Sequence, residues 1–290
     1  MINKFIFIIR MVFIGAHISR EKTIKETIDK IIDNGGNALQ IFVSNPRSSK
    51  ITELNQKFFS KEFHNSKKDF ALLIHNPYVI NLASPFMNNK RTIEIKDAYW
   101  IKLLLHELNI AHKIGSYGCV VHCGKHTTNS KEEGLKNMKI ALDFIIDEIK
   151  NNNYTSKIIL ETSTGQGTEL LYEYQEFLDF YNSFTDNQKN YIKICIDTCH
   201  IWAAGYELSE IYKLTKTNNN LKDVAVIHIN NSKNPKNSHL DRHDIISNGY
   251  INLNDIIIFF NKMKKANSNL IAILETPDES NLKKDLKTFQ

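Results

Sequence analysis

His75, His122, Glu161, Asp197 and Glu275 each close a short apolar run, and His228 lies one residue inside the end of another. His17 closes a further run, and His200 follows Asp197 three positions on. A lone histidine at such a place is more often a structural group than a ligand, and a lone acid there often caps the helix that follows. Together they mean more. Imidazoles and carboxylates gathered at one rim are electrostatically costly unless cations neutralise them. Imidazole mixed with carboxylate suits Zn, Mn or Fe(II), whereas Mg and Ca want nearly all oxygen. So many ligands imply more than one ion. Paired ions can bind both the attacking water and the leaving oxygen of a phosphoester. Glu161 could bridge two ions, since a carboxylate has two oxygens. Asp241-Arg242-His243 adds an Asp and a His two positions apart in a long loop. They could share an ion, while Arg242 could meet a phosphate; taken alone, the motif also fits a salt-bridged surface loop.

Elements must bring these residues together. Apolar, β-branched runs predict strands over 12–17, 39–43, 71–75, 119–122, 157–161, 192–197, 224–229 and 270–275. They lack polar alternation, as strands buried on both faces do. Helical spacing predicts helices over 23–33, 93–114, 131–150, 167–181, 208–214 and 254–265, with a tail after Asp278. Gly35-Gly36 gives the first a stop signal. Strand then helix, eight times over, predicts an α/β fold, specifically a (β/α)8 TIM barrel with its site at the C-terminal strand ends. Residues 11–290 are expected to form this single domain, with residues 1–10 as a short extension and Met11 as a second start. No GxGxxG or P-loop follows a strand, which disfavours a nucleotide cofactor.

Bulk properties narrow the class. The chain has 290 residues, enough for one large barrel, and its hydrophobic fraction of 42% supports a sizeable core. A net charge of +5 is compatible with a polyanionic partner. The four cysteines, Cys119, Cys123, Cys195 and Cys199, form no CxxC pair and read as buried free thiols in apolar strand-like runs. No run of apolar residues is long enough for a membrane span, and no secretory signal is seen. The expectation is an intracellular protein, not secreted, and a monomer.

Eight segments then carry a family resemblance: FIGAHIS (13–19), HNPYVINLASP (75–85), VHCGKH (121–126), ETSTGQG (161–167), CIDTCHIWAAGY (195–206), VIHINNSK (226–233), SHLDRH (238–243) and ILET (273–276). In this order they resemble the endonuclease IV family of zinc-dependent abasic-site endonucleases, from Val12 to Thr276. The resemblance implies a trinuclear Zn2+ site, with Mn2+ as a substitute. His75, His122 and Glu161 would hold one ion. Glu161 would bridge to a second held by Asp197, His228 and Glu275, and His200, Asp241 and His243 would hold the third. His75, Glu161, Asp197 and Glu275 are the expected catalytic set, and His17 is left as a neighbour of the site or a substrate contact. The partner implied is double-stranded DNA with an abasic site. The damaged nucleotide is flipped out, which costs least where a base is missing. Arg47, Tyr78 and Val79 align with residues that fill the gap in the stack, and Arg242 is the further expected DNA contact. The implied reaction is attack by metal-bound hydroxide on the phosphodiester 5′ to the lesion, leaving a 3′-hydroxyl and a 5′ deoxyribose phosphate.

The chain departs from the family pattern in places. Asn231 replaces a usual acid, and Ser247-Asn248-Gly249 replaces a Gly-Glu-Gly turn. Ser19, Arg20, Glu21 and Lys22 lack the usual glycine pair, and Lys193 stands where Gly or Arg is common. None of these removes an expected ligand. The competing readings are a sugar isomerase or epimerase on the same barrel and a non-catalytic DNA-binding protein.

Overall fold

The computed structural model describes residues 12–60, 63–88 and 91–290; the extension at 1–10 and Met11 lie outside them. Eight parallel strands close a barrel. We number them β1 (Phe13–His17), β2 (Ala38–Ile41), β3 (Ala71–His75), β4 (Gly118–His122), β5 (Lys157–Glu161), β6 (Ile192–Asp197), β7 (Val224–Ile229) and β8 (Ile271–Leu274). Each pairs with its neighbour in sequence, and β8 pairs with β1 to close the ring. The predicted TIM barrel is therefore the fold of this chain.

Side chains alternate along each strand, and the alternation sorts the core into two layers. Leu73, Val120, Ile159, Cys195, Val226 and Ile273 pack together inside the barrel. Leu72, Ile74, Val121, Leu160 and Ile227 belong to the larger layer under the helices. β1 and β2 approach so closely that a Cβ on Gly15 would lie 1.5 Å from the Ala38 carbonyl oxygen, so only glycine fits there.

The outer helices are α1 (Ile24–Asp33), α2 (Tyr99–Lys113), α3 (Lys131–Asn151), α4 (Tyr174–Asn182), α5 (Thr198–Ala203), α6 (Leu208–Thr217), α7 (Leu253–Ala266) and α8 (Leu282–Thr288). Thr23 caps α1 by accepting from the Glu26 amide, and Ser130 and Glu133 form a capping box at α3.

The strict alternation of strand and helix fails at two strands. No helix follows β2 among the described residues; the crossover is irregular, anchored by buried Phe58 and Phe59. Asn45-Pro46 and scattered polar residues deny it a helical apolar stripe. β6 is followed by two helices, and the first, α5, holds His200 and Cys199, so Cys199 is helical rather than in a strand-like run. The helix expected over 167–181 starts only at Tyr174, because Gly165, Gly167 and Leu171 adopt positive φ. The helix expected from residue 93 starts at Tyr99, after extended Ala98 and a turn of 3₁₀ helix. Among the described residues no helix is long and apolar enough to cross a membrane.

Candidate metal centre

The strand alternation that points Leu73, Val120, Ile159, Cys195, Val226 and Ile273 inward also points inward the residue two positions on. Those residues are His75, His122, Glu161, Asp197, His228 and Glu275. One inward layer at the C-terminal end of the barrel therefore collects them, and the geometry brings them into groups. Donor atoms of His75, His122 and Glu161 all lie within 4.8 Å of one another, and so do those of Glu161, Asp197, His228 and Glu275. Asp197, His200 and His243 form a third such group. Asp241 joins it: its Oδ1 lies 3.4 Å from His200 Nε2 and 3.2 Å from His243 Nε2. All nine expected ligands thus meet at one rim.

Glu161 sits at the centre, fully buried. Its Oε2 is 3.3 Å from His122 Nε2 and 3.7 Å from His75 Nε2, while its Oε1 is 2.7 Å from His228 Nδ1. One carboxylate oxygen thus faces each of two groups. Burial opposes its ionisation, yet His228 and His122 hold the carboxyl well below the usual range. Glu275 behaves alike: burial pushes up, and His228 and His17 pull it lower. Burial works against protonation of His200, but Asp197 and Asp241 raise it well above an ordinary histidine. His243 rises to about 9 because Asp197 and Asp241 outweigh its burial. His122 is depressed by burial, with Glu161 only partly offsetting it.

Backbone carbonyls hold three of the imidazoles. His75 Nδ1 donates to Asn76 O at 2.8 Å, His200 Nδ1 to Thr162 O at 2.7 Å and His243 Nδ1 to Glu275 O at 3.2 Å. Each leaves Nε2 facing the carboxylates, as metal-ligating histidines do. Glu161 Oε2 and His200 Nε2 are buried with no hydrogen-bond partner. Buried polar atoms are nearly always paired. Two buried ligand-type atoms that make no hydrogen bond, in a nest of carboxylates and imidazoles, fit a centre that takes cations.

The DxH motif is not wholly open loop. His243–Asp244 pairs antiparallel with Asn231–Ser232, which fixes the loop against the end of β7. Arg242 is exposed between two half-buried neighbours, Asp241 and His243. Tyr78 is 56% exposed and stands over the site, ring centroids 5.4 Å from His75 and 5.6 Å from His122. Tyr78 N donates to Pro46 O at 2.9 Å, which ties its loop to the one carrying Arg47. Arg47 is exposed, while Val79 is half-buried against the core. Tyr78 and Arg242 line one 350 Å³ cleft beside the centre; a second of 890 Å³ opens between His17, Arg20 and Asn45. His17 lies 3.2 Å from Glu275 Oε1, so it touches an expected ligand. The four cysteines are buried and free, with Cys195 beside Glu161 and His228 and Cys199 beside Asp241 and His243.

Two residues at the site were missed in the sequence. Asn230 donates from Nδ2 to Asp197 Oδ2, and its Oδ1 accepts from the Glu275 amide at 3.2 Å. Gln40 is fully buried and reaches Glu275, His17 and His228. The signal for Gln40 was present: it is a polar residue inside an otherwise apolar, fully buried strand.

Fold and rim together define a class, a TIM barrel with a histidine–carboxylate metal site at its C-terminal face. Residues 28–290 match the family described as xylose isomerase-like TIM barrel. The chain is 31% identical over 275 residues to the probable endonuclease 4 of Clostridium botulinum, covering 93% of this chain and 94% of that protein. It is 33% identical over 279 residues to the probable endonuclease 4 of Mycoplasma capricolum, covering 92% and 91%. This chain belongs to the endonuclease IV family of enzymes. The solved endonuclease IV of Thermus thermophilus superposes with a TM-score of 0.72 at 21% identity, over 96% of this chain and 97% of that one. That likeness speaks to the fold.

Proposed function

We propose that the chain is a zinc-dependent DNA-repair endonuclease that hydrolyses the phosphodiester 5′ to an abasic site in duplex DNA. The observation that carries this reading is the pair of buried ligand atoms that make no hydrogen bond, Glu161 Oε2 and His200 Nε2, at the rim of a barrel of this family. His75, His122 and Glu161 would hold one zinc ion. Glu161, Asp197, His228 and Glu275 would hold a second, and His200, Asp241 and His243 a third. Bound there, zinc supplies an activated water and neutralises charge at the phosphoryl group.

The chain's own residues do the rest. Glu161 presents one oxygen to each of two groups and fixes their separation. Asn230 holds Asp197, and the Asn76 and Thr162 carbonyls hold His75 and His200 with Nε2 forward. Tyr78 roofs the histidines and excludes bulk water from them, and with Val79 and Arg47 it fills the gap in the base stack. Arg242 meets a phosphate oxygen at the mouth of the smaller cleft. Water oxygen bonds to phosphorus, the bond from phosphorus to the 3′ oxygen breaks, and that oxygen leaves as a 3′-hydroxyl. The other product ends in 5′ deoxyribose phosphate. The chain works inside the cell as a monomer, with residues 11–290 as one unit.

The test is a duplex oligonucleotide carrying one abasic-site analogue, given first to metal-stripped protein and then to protein with zinc restored. A single 3′-hydroxyl cut that appears only with metal, and not on undamaged duplex, is expected. No cut by metal-loaded protein would overturn the reading and leave a sugar isomerase or epimerase as the better account.

A further inference from the structure

Seven barrel strands bring a histidine or carboxylate to the inward rim, and β2 brings Gln40. Gln40 is fully buried, in register with His17 on β1. The inference drawn from it rests on the metal reading above. Gln40 Nε2 lies 2.6 Å from Glu275 Oε1 and 3.1 Å from His17 Nδ1. Gln40 Oε1 lies 3.0 Å from His228 Nε2.

These contacts fix hydrogen-bond polarity. A carboxylate only accepts, so the amide must present its NH₂ to Glu275. Turned round, it would set oxygen against oxygen at that distance. The amide oxygen therefore faces His228, and His228 Nε2 must carry the proton it donates. Nδ1 then points to Glu161 Oε1 at 2.7 Å, Glu275 Oε2 at 3.2 Å and Asp197 Oδ2 at 3.8 Å. That is the centre of the second ion's ligand set. His75, His200 and His243 have their second nitrogen held by backbone carbonyls, which no substitution removes. His228 is held by a side chain.

We propose that Gln40 is a positioning residue: it sets the tautomer of His228 and the orientation of Glu275, and thereby the affinity of the ion they share. Such outer partners of metal ligands change affinity by about 10–100-fold when removed. Gln40→Met keeps the bulk and removes all three polar contacts, to Glu275, His17 and His228.

The experiment is a zinc competition titration of the full chain, wild type against Gln40→Met, with a colorimetric chelator. One ion should leave the variant at about 10–100-fold lower chelator concentration, with the remaining ions held as in the wild type. Side-chain nitrogen NMR of the zinc-loaded wild type gives a second reading that needs no variant. It should show His228 protonated at Nε2 and zinc-bound through Nδ1. Unchanged zinc release by Gln40→Met, loss of every ion equally, or His228 protonated at Nδ1 in the loaded wild type would each overturn the role of Gln40. A wild type that takes up no zinc would instead overturn the metal reading itself, and this role with it.

Discussion

At position 231 an amide stands where the family resemblance leads one to expect an acid, and the loop after β7 is built around that amide. Asn231 is buried. Its Nδ2 donates to Ile246 O and Ile251 O at 2.8 and 2.9 Å, and its Oδ1 accepts from the Ser232 and Ile251 amides. The same oxygen crowds Gly249, where a Cβ would meet it at 2.2 Å. The replaced acid and the altered Ser247-Asn248-Gly249 turn are therefore one packing unit. An ionised carboxylate only accepts, so Asn231→Asp should strip two carbonyls of their partners and set a negative charge against them. That costs about 2–4 kcal/mol and lowers Tm by about 3–6 °C. Thermal melting of the metal-free variant checks this; an unchanged Tm would show that the loop does not depend on the amide. Most of the site was legible residue by residue because histidine and carboxylate are the ligand types chemistry demands. Gln40 and Asn230 were passed over, since an amide is not among those ligand types and touches only the residues that are.

Between elements, a buried carboxyl ties α2 to the crossover after β2. Glu107 on α2 is wholly buried and accepts from the Ser44 hydroxyl; its other oxygen has no partner. Burial pushes its carboxyl up from 4.5 to about 7, with the Ser44 bond only partly opposing. The folded state thus holds the proton more tightly than the unfolded chain between those two values. Stability contributed by this group is whole below pH 4.5 and falls as pH rises towards about 7. Glu107→Gln keeps an acceptor for Ser44 and cannot ionise. It should gain on the order of 3 kcal/mol over the wild type on going from pH 4 to pH 8, about 5 °C in Tm. Melting both proteins at the two pH values measures it, and a Tm difference that does not grow with pH would contradict it. The crossover that Glu107 anchors is also where sequence reading failed. Strands were legible because burial on both faces leaves unbroken β-branched runs. The stretch after β2 has no such period: it is held by long-range anchors, Phe58, Phe59 and the Ser44–Glu107 bond, which leave no local pattern. α5 was missed for its brevity, six residues between β6 and Gly205.

For the whole molecule, the closed barrel is what turns scattered residues into one site. Positions as distant as His17 and Glu275 touch because β8 pairs with β1. Closure was legible from the number of strands, and the shared rim from the ligand-type residues at their ends; the two layers were not, since runs apolar on both faces carry no polar alternation to mark them. On the proposed reading this rim would hold three ions, with Glu161 common to two. Metal content by elemental analysis, after zinc loading and gel filtration, tests it most directly. The wild type should carry three zinc ions per chain. His243→Ala should lose one of them, and Glu161→Gln should lose the two that share its carboxylate and keep the third. A wild type holding a single ion, or a Glu161→Gln protein that keeps all three, would contradict the account.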